Sequence, residues 1–507
     1  MKALLILEVS RKQDYIFSSN RLKDNARRSQ EIAYVTSPAY FIKKASELYS
    51  DEKNLVYSGG GHTVLQFETK ESAKTFAERI TEEAMRDFDG MELYAKICDY
   101  RESETPGKNL HMLTSSLEEK KALRKSAFRR SSLGVERLGV ETKSPVRIGG
   151  EGSGDKKIPG GVEPPDGYEY PAEFEKVAGD DNFIAVVHID GNSMGARVNG
   201  IYEKHKSPGD WEACRESLKQ FSDGIQKDFE NAFSYAAGKL AEQLSDELSG
   251  SSKKLLPIRP IIIAGDDVLY VTSGKYGLET ARIFLEKLAE TKNEVDGELY
   301  AACGGVAIVH TKYPFHRAYE LSEELCSSAK RFGVSLRDDG SVSALDWHIE
   351  FGQLKDGLGV IREDYETDDG NRLELRPVAV VAPQGTKAPD ERTYGYFREL
   401  SRIFANGSGA VARSKLKGMR TALKQGEVET EFYLKNTETK EVLGRTFDAK
   451  YISEESRFAE FAKALSGKGM DERVAFRRFS GEDKDRCVLF DALETSDHFE
   501  LIGGDEK

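Results

Sequence analysis

Apolar residues in this chain fall into short, strand-length runs, separated by longer stretches in which they recur every three or four positions. Residues 3–9 read ALLILEV, a buried-strand run. Residues 22–48 carry a long, partly amphipathic helical pattern. Two runs of alternating or β-rich residues, 54–58 and 62–67, flank Gly59, Gly60 and Gly61 and predict a β-hairpin. Residues 71–87 predict a helix and 92–98 a closing strand. The resulting order, β-α-β-β-α-β, is that of a ferredoxin-like or palm unit.

The same order then returns. Residues 183–189, FIAVVHI, form a strand-like run and 210–248 a long helical region. Residues 261–263 and 268–271 flank Ala264-Gly265-Asp266-Asp267, a second hairpin whose tight turn Gly265 permits. A helix near 278–292, a strand over 300–309 and a helix over 313–331 complete the unit. Glu8 stands near the place that Asp190 holds in the second copy. The chain therefore reads as a diverged internal duplication of class α+β. The expected organisation is a carboxylate-poor first palm (1–100), a linker or helical insert (101–180), a catalytic second palm (181–350) and a helical C-terminal domain (376–507).

Composition narrows the function class. The 507 residues are 32% charged and 38% hydrophobic, with a formal net charge of −13. That balance argues against a surface that coats nucleic acid, though not against a local basic groove. No apolar run approaches the ~20 residues of a membrane span. Residues 1–10 lack a signal-peptide cleavage pattern, so a cytoplasmic protein is expected. Cys98, Cys214, Cys303, Cys326 and Cys487 show no zinc or redox spacing and are expected as buried thiols. The basic run 117–130, with Lys120, Lys121, Arg124, Lys125, Arg129 and Arg130, is a solvated helix face or a contact to RNA or a partner. Residues 149–167 read as a linker or loop. The basic amphipathic stretch 413–425 suits packing or partner binding.

The candidate chemistry lies at the second hairpin. Adjacent Asp266 and Asp267 repel unless a cation lies between them, and oxygen ligands on a turn suit Mg²⁺ or Mn²⁺. A solvated Asp-Asp turn is the alternative. Asp190 ends the strand 183–189 and opens the loop Gly191-Asn192-Ser193-Met194-Gly195. If the two strands are neighbours, Asp190, Asp266 and Asp267 converge and could hold two ions roughly 3.5–4 Å apart, as two-metal phosphoryl transfer requires. The amides of Gly191, Asn192, Ser193 and Gly195 could then cradle a triphosphate. His316, Arg317, Lys330 and Arg331 could meet its tail or be ordinary helix charges.

Taken together, YIFSSNRL (15–22), the Gly-Gly-Gly hairpin, HIDGNSMG, AGDDVLYV, GGVAIVHTKYPFHRAYELSEELCSSAKR and SALDWHIE resemble the large subunit of type III CRISPR effector complexes. That family is a polymerase-cyclase with two palms related to GGDEF cyclases. The resemblance spans both palms and, more weakly, the C-terminal part. It implies a nucleotidyltransferase that converts ATP into cyclic oligoadenylate messengers in antiviral defence, or in some relatives joins AMP to S-adenosylmethionine. By motif, it makes Asp190, Asp266 and Asp267 the metal ligands and gives Gly265 the catalytic turn. Lys330 becomes a phosphate contact, and Gly59, Gly60 and Gly61 help to hold a second nucleotide. CRISPR RNA, effector subunits or target RNA are the implied partners.

Three departures stand out. Ala264 replaces the first glycine of the family's hairpin motif, which a negative φ would tolerate. None of the eight histidines is followed by aspartate, so no HD nuclease is expected. Residues 134–146 contain no cysteine, so no zinc is expected. A catalytically silent scaffold subunit is the competing reading, which the intact aspartates disfavour.

Overall fold

The computed structural model describes residues 2–123, 161–245, 254–352, 357–386, 388–405, 412–437, 439–440 and 475–503. Arg124, Lys125, Arg129 and Arg130 of the basic run, and most of the 149–167 stretch, lie outside these residues.

The first unit runs β1 (Ala3–Ser10), α1 (Lys12–Ile16), α2 (Leu22–Val35), α3 (Pro38–Ala45), α4 (Asp51–Asn54), β2 (Leu55–Gly59), β3 (His62–Phe67), α5 (Lys70–Asp87), β4 (Glu92–Asp99) and α6 (Pro106–Ala122). Its antiparallel sheet has the order β2-β3-β1-β4, the ferredoxin-like arrangement. The long helix expected over 22–48 is in fact two helices. Ser37 caps the second, its hydroxyl accepting from the Tyr40 amide, and Pro38 cannot donate into a continuing helix. Helix α5 forms where Ala73, Phe76, Ala77, Ile80 and Ala84 make one buried stripe. Helix α6 packs on β4 and β1, burying Leu110, Leu113 and Leu117, so the core of this unit extends past residue 100.

After β5 (Tyr168–Glu169) and α7 (Phe174–Ala178), the second unit begins with β6 (Phe183–Gly191). It continues through α8 (Met194–Lys204), α9 (Trp211–Gln243), β7 (Lys254–Leu255), β8 (Ile258–Ala264), β9 (Asp267–Ser273), α10 (Gly277–Ala289), β10 (Ala302–His310), α11 (Phe315–Leu336) and β11 (Ser343–Glu350). Beyond it lie α12 (Leu358–Glu363), β12 (Val378–Val381), α13 (Tyr394–Ala405), α14 (Arg413–Gln425), α15 (Glu427–Asn436), the short pair β13 (Phe476–Arg477) and β14 (Arg486–Cys487), and α16 (Phe490–Thr495). The larger sheet has the order β12-β11-β10-β6-β9-β8. Its β10-β6-β9-β8 portion repeats the smaller sheet's order. Strand β11 adds in parallel to β10, and β12 adds antiparallel to β11. The region after residue 376 thus begins with a strand of the palm sheet rather than with helix. Fully buried Arg376, paired with Asp491 and Glu494, ties that strand's entry to α16.

The two units pack reciprocally. Helix α9, which buries Trp211, Cys214, Leu218, Phe221, Ile225 and Phe229 at helical spacing, lies on β2 of the first unit. Helix α2 lies on β8 of the second. One continuous apolar core runs through both sheets. No helix among the described residues is long and apolar enough to cross a membrane.

Candidate active site

Register decides the site. In the second unit Asp190 of β6 lies directly opposite Asp267 of β9, and Ala264 of β8 opposite Asp267 from the other side. The Asp-Asp turn therefore closes over the end of the central strand. Gly265 sits at φ +69, where a side chain would be strained, and its N–H donates to Gln226 Oε1 at 2.7 Å. The Gln226 amide donates back to the Ile263 carbonyl at 3.1 Å, so one side chain of α9 braces the whole turn. A Cβ at Gly191 would come within 2.8 Å of the Asp266 Cβ, so only glycine admits the turn this close to the strand.

The carboxylates differ in their surroundings. Asp266 is half-buried, and that burial, followed by the charges of Asp190 and Asp267, pushes its pKa up to about 6. Asp190 accepts from Lys330 Nζ at 2.6 Å, and Lys330 also donates to the Gly191 carbonyl at 3.0 Å. Burial works against the Lys330 charge, but the bond and charge of Asp190 hold its pKa above the ordinary value. Asp267 meets His188 Nε2 at 2.9 Å. Lys330, which the resemblance makes a phosphate contact, stands on the Asp190 carboxylate in the structure. His316 and Arg331 are exposed on the same helix, as is Arg317 beside Glu320.

The loop expected to cradle phosphate is partly committed elsewhere. The Gly191 amide donates to the Asp266 carbonyl and the Asn192 amide to the Ala301 carbonyl. The Asn192 side chain spans the Gly340 and Val342 carbonyls. These two residues brace the site and have no amide to spare. Ser193, at φ 59, turns the chain into α8, and Gly195 faces open space.

The donor set fits a hard divalent cation: three carboxylates at one strand end, one of them held back from ionising first by burial and then by the other two. It is not drawn into a closed cage. Among the described residues no three His, Cys, Asp or Glu side chains close on one point; Lys330 holds Asp190 and His188 meets Asp267.

The first palm's hairpin comes to the same place. A Cβ at Gly60 would lie 3.9 Å from the Ala264 carbonyl oxygen. Ser222 of α9 donates to the Ser58 carbonyl beside it, at 2.9 Å. Lys12, Lys121, His188 and Gln226 were not singled out as site residues from the sequence. Lys121 was visible only as one member of a basic run, and the others carry no motif.

Residues 183–337 match the sequence model of the family described as Cas10/Cmr2, second palm domain. The second palm is similar in sequence to the Cas10/Cmr2 second palm. The likeness of the motifs to the type III CRISPR large subunit is thereby borne out. The matched residues include the Asp-Asp hairpin, while the first, carboxylate-poor palm lies outside them. No curated protein matches the chain. Among solved structures, the crystal structure of Csm1 in T. onnurineus is similar, with a TM-score of 0.54 and 16% identity, covering 98% of this chain and 69% of that one. The Csm1–Csm4 cassette in complex with pppApApA gives 0.52 and 16%, and in complex with cA4 0.51 and 15%, each over 98% of this chain and 69% of the other. At these identities the likeness is one of fold.

Proposed function

We propose that this chain is a metal-dependent nucleotidyltransferase that joins ATP into oligoadenylate, cyclised as a second messenger, at the junction of its two palms. The observation that carries the reading is the meeting of the hairpins, Gly60 against Ala264. It brings a carboxylate-bearing turn and a glycine turn together, so that two nucleotides can lie with a 3′-hydroxyl of one near an α-phosphate of the other. The similar cassette structures hold pppApApA and cA4, which supports the substrate class.

Asp190, Asp266 and Asp267 would hold Mg²⁺ or Mn²⁺, which supplies positive charge to the triphosphate and acidifies the attacking hydroxyl. Lys330 and His188 orient Asp190 and Asp267 across the strand pair. Gln226 keeps the turn in place. No side-chain nucleophile is required, since phosphoryl chemistry of this kind runs on positioning and charge. S-adenosylmethionine as a co-substrate, and effector subunits or target RNA as partners, belong to the same reading.

The test is mass spectrometry of products after incubation with ATP and Mg²⁺ or Mn²⁺, with and without S-adenosylmethionine. Adenylate oligomers or AMP conjugates are expected from the wild type. The Asp266→Ala, Asp267→Ala double variant should lose roughly a thousandfold or more of the yield while remaining folded. Undiminished synthesis in that variant would place the chemistry elsewhere. No product from the wild type with any addition would favour a silent scaffold.

A further inference from the structure

The two palms repeat one backbone around their hairpins. In the first, Glu8 and Gly59 lie opposite His62; in the second, Asp190 and Ala264 lie opposite Asp267. The Val9 amide donates to the Gly61 carbonyl at 3.1 Å, just as the Gly191 amide donates to that of Asp266 at 3.1 Å. Each central strand is followed by a left-handed residue, Arg11 at φ 51 and Ser193 at φ 59. The helix after each fourth strand sends a lysine onto the first strand's carboxylate. Lys121 of α6 reaches Glu8 at 3.2 Å, as Lys330 of α11 reaches Asp190.

The charges are opposite. Counted from Glu8 and Asp190, Gly61 takes the place of Asp266, His62 that of Asp267, and Lys12 that of Met194. The Lys12 ammonium donates to the Gly60 carbonyl at 2.5 Å and lies 4.0 Å from Glu8. Burial, with the charge of Lys12, pushes the His62 pKa down to about 4, so this ring is neutral at pH 7. Two ammonium groups, Lys12 and Lys121, therefore face Glu8 in the first palm, and Lys121 also meets Glu118 at the rim at 2.7 Å. In the second, three carboxylates face Lys330 and His188.

We infer that the first palm grips the triphosphate of its nucleotide directly, through Lys12 and Lys121, with no divalent ion of its own. This rests on the paired-nucleotide reading above and adds the residues and the metal independence of one subsite. An ammonium has three donors, and the Gly60 carbonyl engages one of those on Lys12. The side chain is half-buried beside Gly61, where a Cβ would come 3.0 Å from Lys12 Cε, so the glycine turn makes room for the cation. A charge held in such a site is screened less than one in open water.

The experiment is equilibrium dialysis of the full chain against labelled α,β-methylene-ATP, in EDTA and in Mg²⁺. The expected result is one nucleotide bound per chain in EDTA and two in Mg²⁺. Lys12→Met and Lys121→Met, each with an unchanged thermal midpoint, should weaken binding in EDTA by about tenfold or more, and Lys12→Arg should preserve it. Loss of all binding in EDTA with two bound in Mg²⁺ would overturn the assignment, as would tight EDTA binding by the methionine variants. No binding in either buffer would instead overturn the paired-nucleotide reading, and this assignment with it.

Discussion

Asp266 carries the electrostatic cost of the site. Burial, then Asp190 and Asp267, raise its pKa from an ordinary carboxylate value to about 6. The sign follows from proton binding. Between pH 4 and pH 6 the unfolded chain has released this proton and the folded chain has not, so stability falls as pH rises through that window. Above about pH 6 the group is charged in both states and the loss is complete. Asp266→Asn should therefore stabilise the metal-free protein at pH 7.5, on the order of 1–2 kcal/mol, and have little effect at pH 4. Thermal melts in EDTA at the two pH values check this; equal shifts at both would show that the carboxylate is not the cause. Ala264 raises the opposite question, whether a methyl fits where the family has glycine. It lies on β8 and is not among the residues at positive φ, so the methyl is tolerated. Asp190, Asp266, Asp267 and Gly265 were legible in the sequence because each is demanded by a local rule: a strand end, a charged turn or a positive φ. His188 was not legible, because one histidine in an apolar run reads the same whether it meets a carboxylate or packs in a core.

Among the elements, helix α9 and the Asp-Asp hairpin form a unit. Gln226 is the single side chain that accepts from the Gly265 amide and donates to the Ile263 carbonyl. Gln226→Ala leaves a partly buried donor and an acceptor without partners, at a cost of about 1–3 kcal/mol. Hydrogen exchange at the Gly265 amide should speed up, and product yield should fall more than global stability does. If exchange at Gly265 is unchanged, the turn holds its shape without α9. The hairpins were readable because apolar runs around a glycine turn have few alternatives. Helix limits were less so. The periodicity of 22–48 is continuous by eye, yet Ser37 and Pro38 end one helix and start another. Nor did the sequence show that β12 joins the palm sheet, since four apolar residues fit a strand or a helix equally well.

For the molecule as a whole, the reciprocal packing of α9 on β2 and of α2 on β8 makes the palms one folding unit with a shared core. The chain's two tryptophans report on its two halves. Trp211 sits at the palm junction, its indole donating to Gln66 and packing on Tyr100 at 4.9 Å. Trp347 is buried in the second sheet against Phe397 of α13. Denaturant titrations of Trp211→Phe and Trp347→Phe should give the same midpoint and slope by fluorescence, matching the helical signal of each variant. An earlier transition at Trp211 would mean that the first palm opens alone. The sequence by itself determined the two palm patterns and which copy bears the carboxylates, because these depend on periodicity, turn residues and side-chain type within a few positions of one another. Only the tertiary structure decided that Lys330 stands on Asp190, that the Gly191 and Asn192 amides are already bonded, and that Lys12 and Lys121 charge the opposite hairpin. Each of those pairings joins residues from different strands and helices, and their partners are set by strand register and helix packing, which no local pattern specifies.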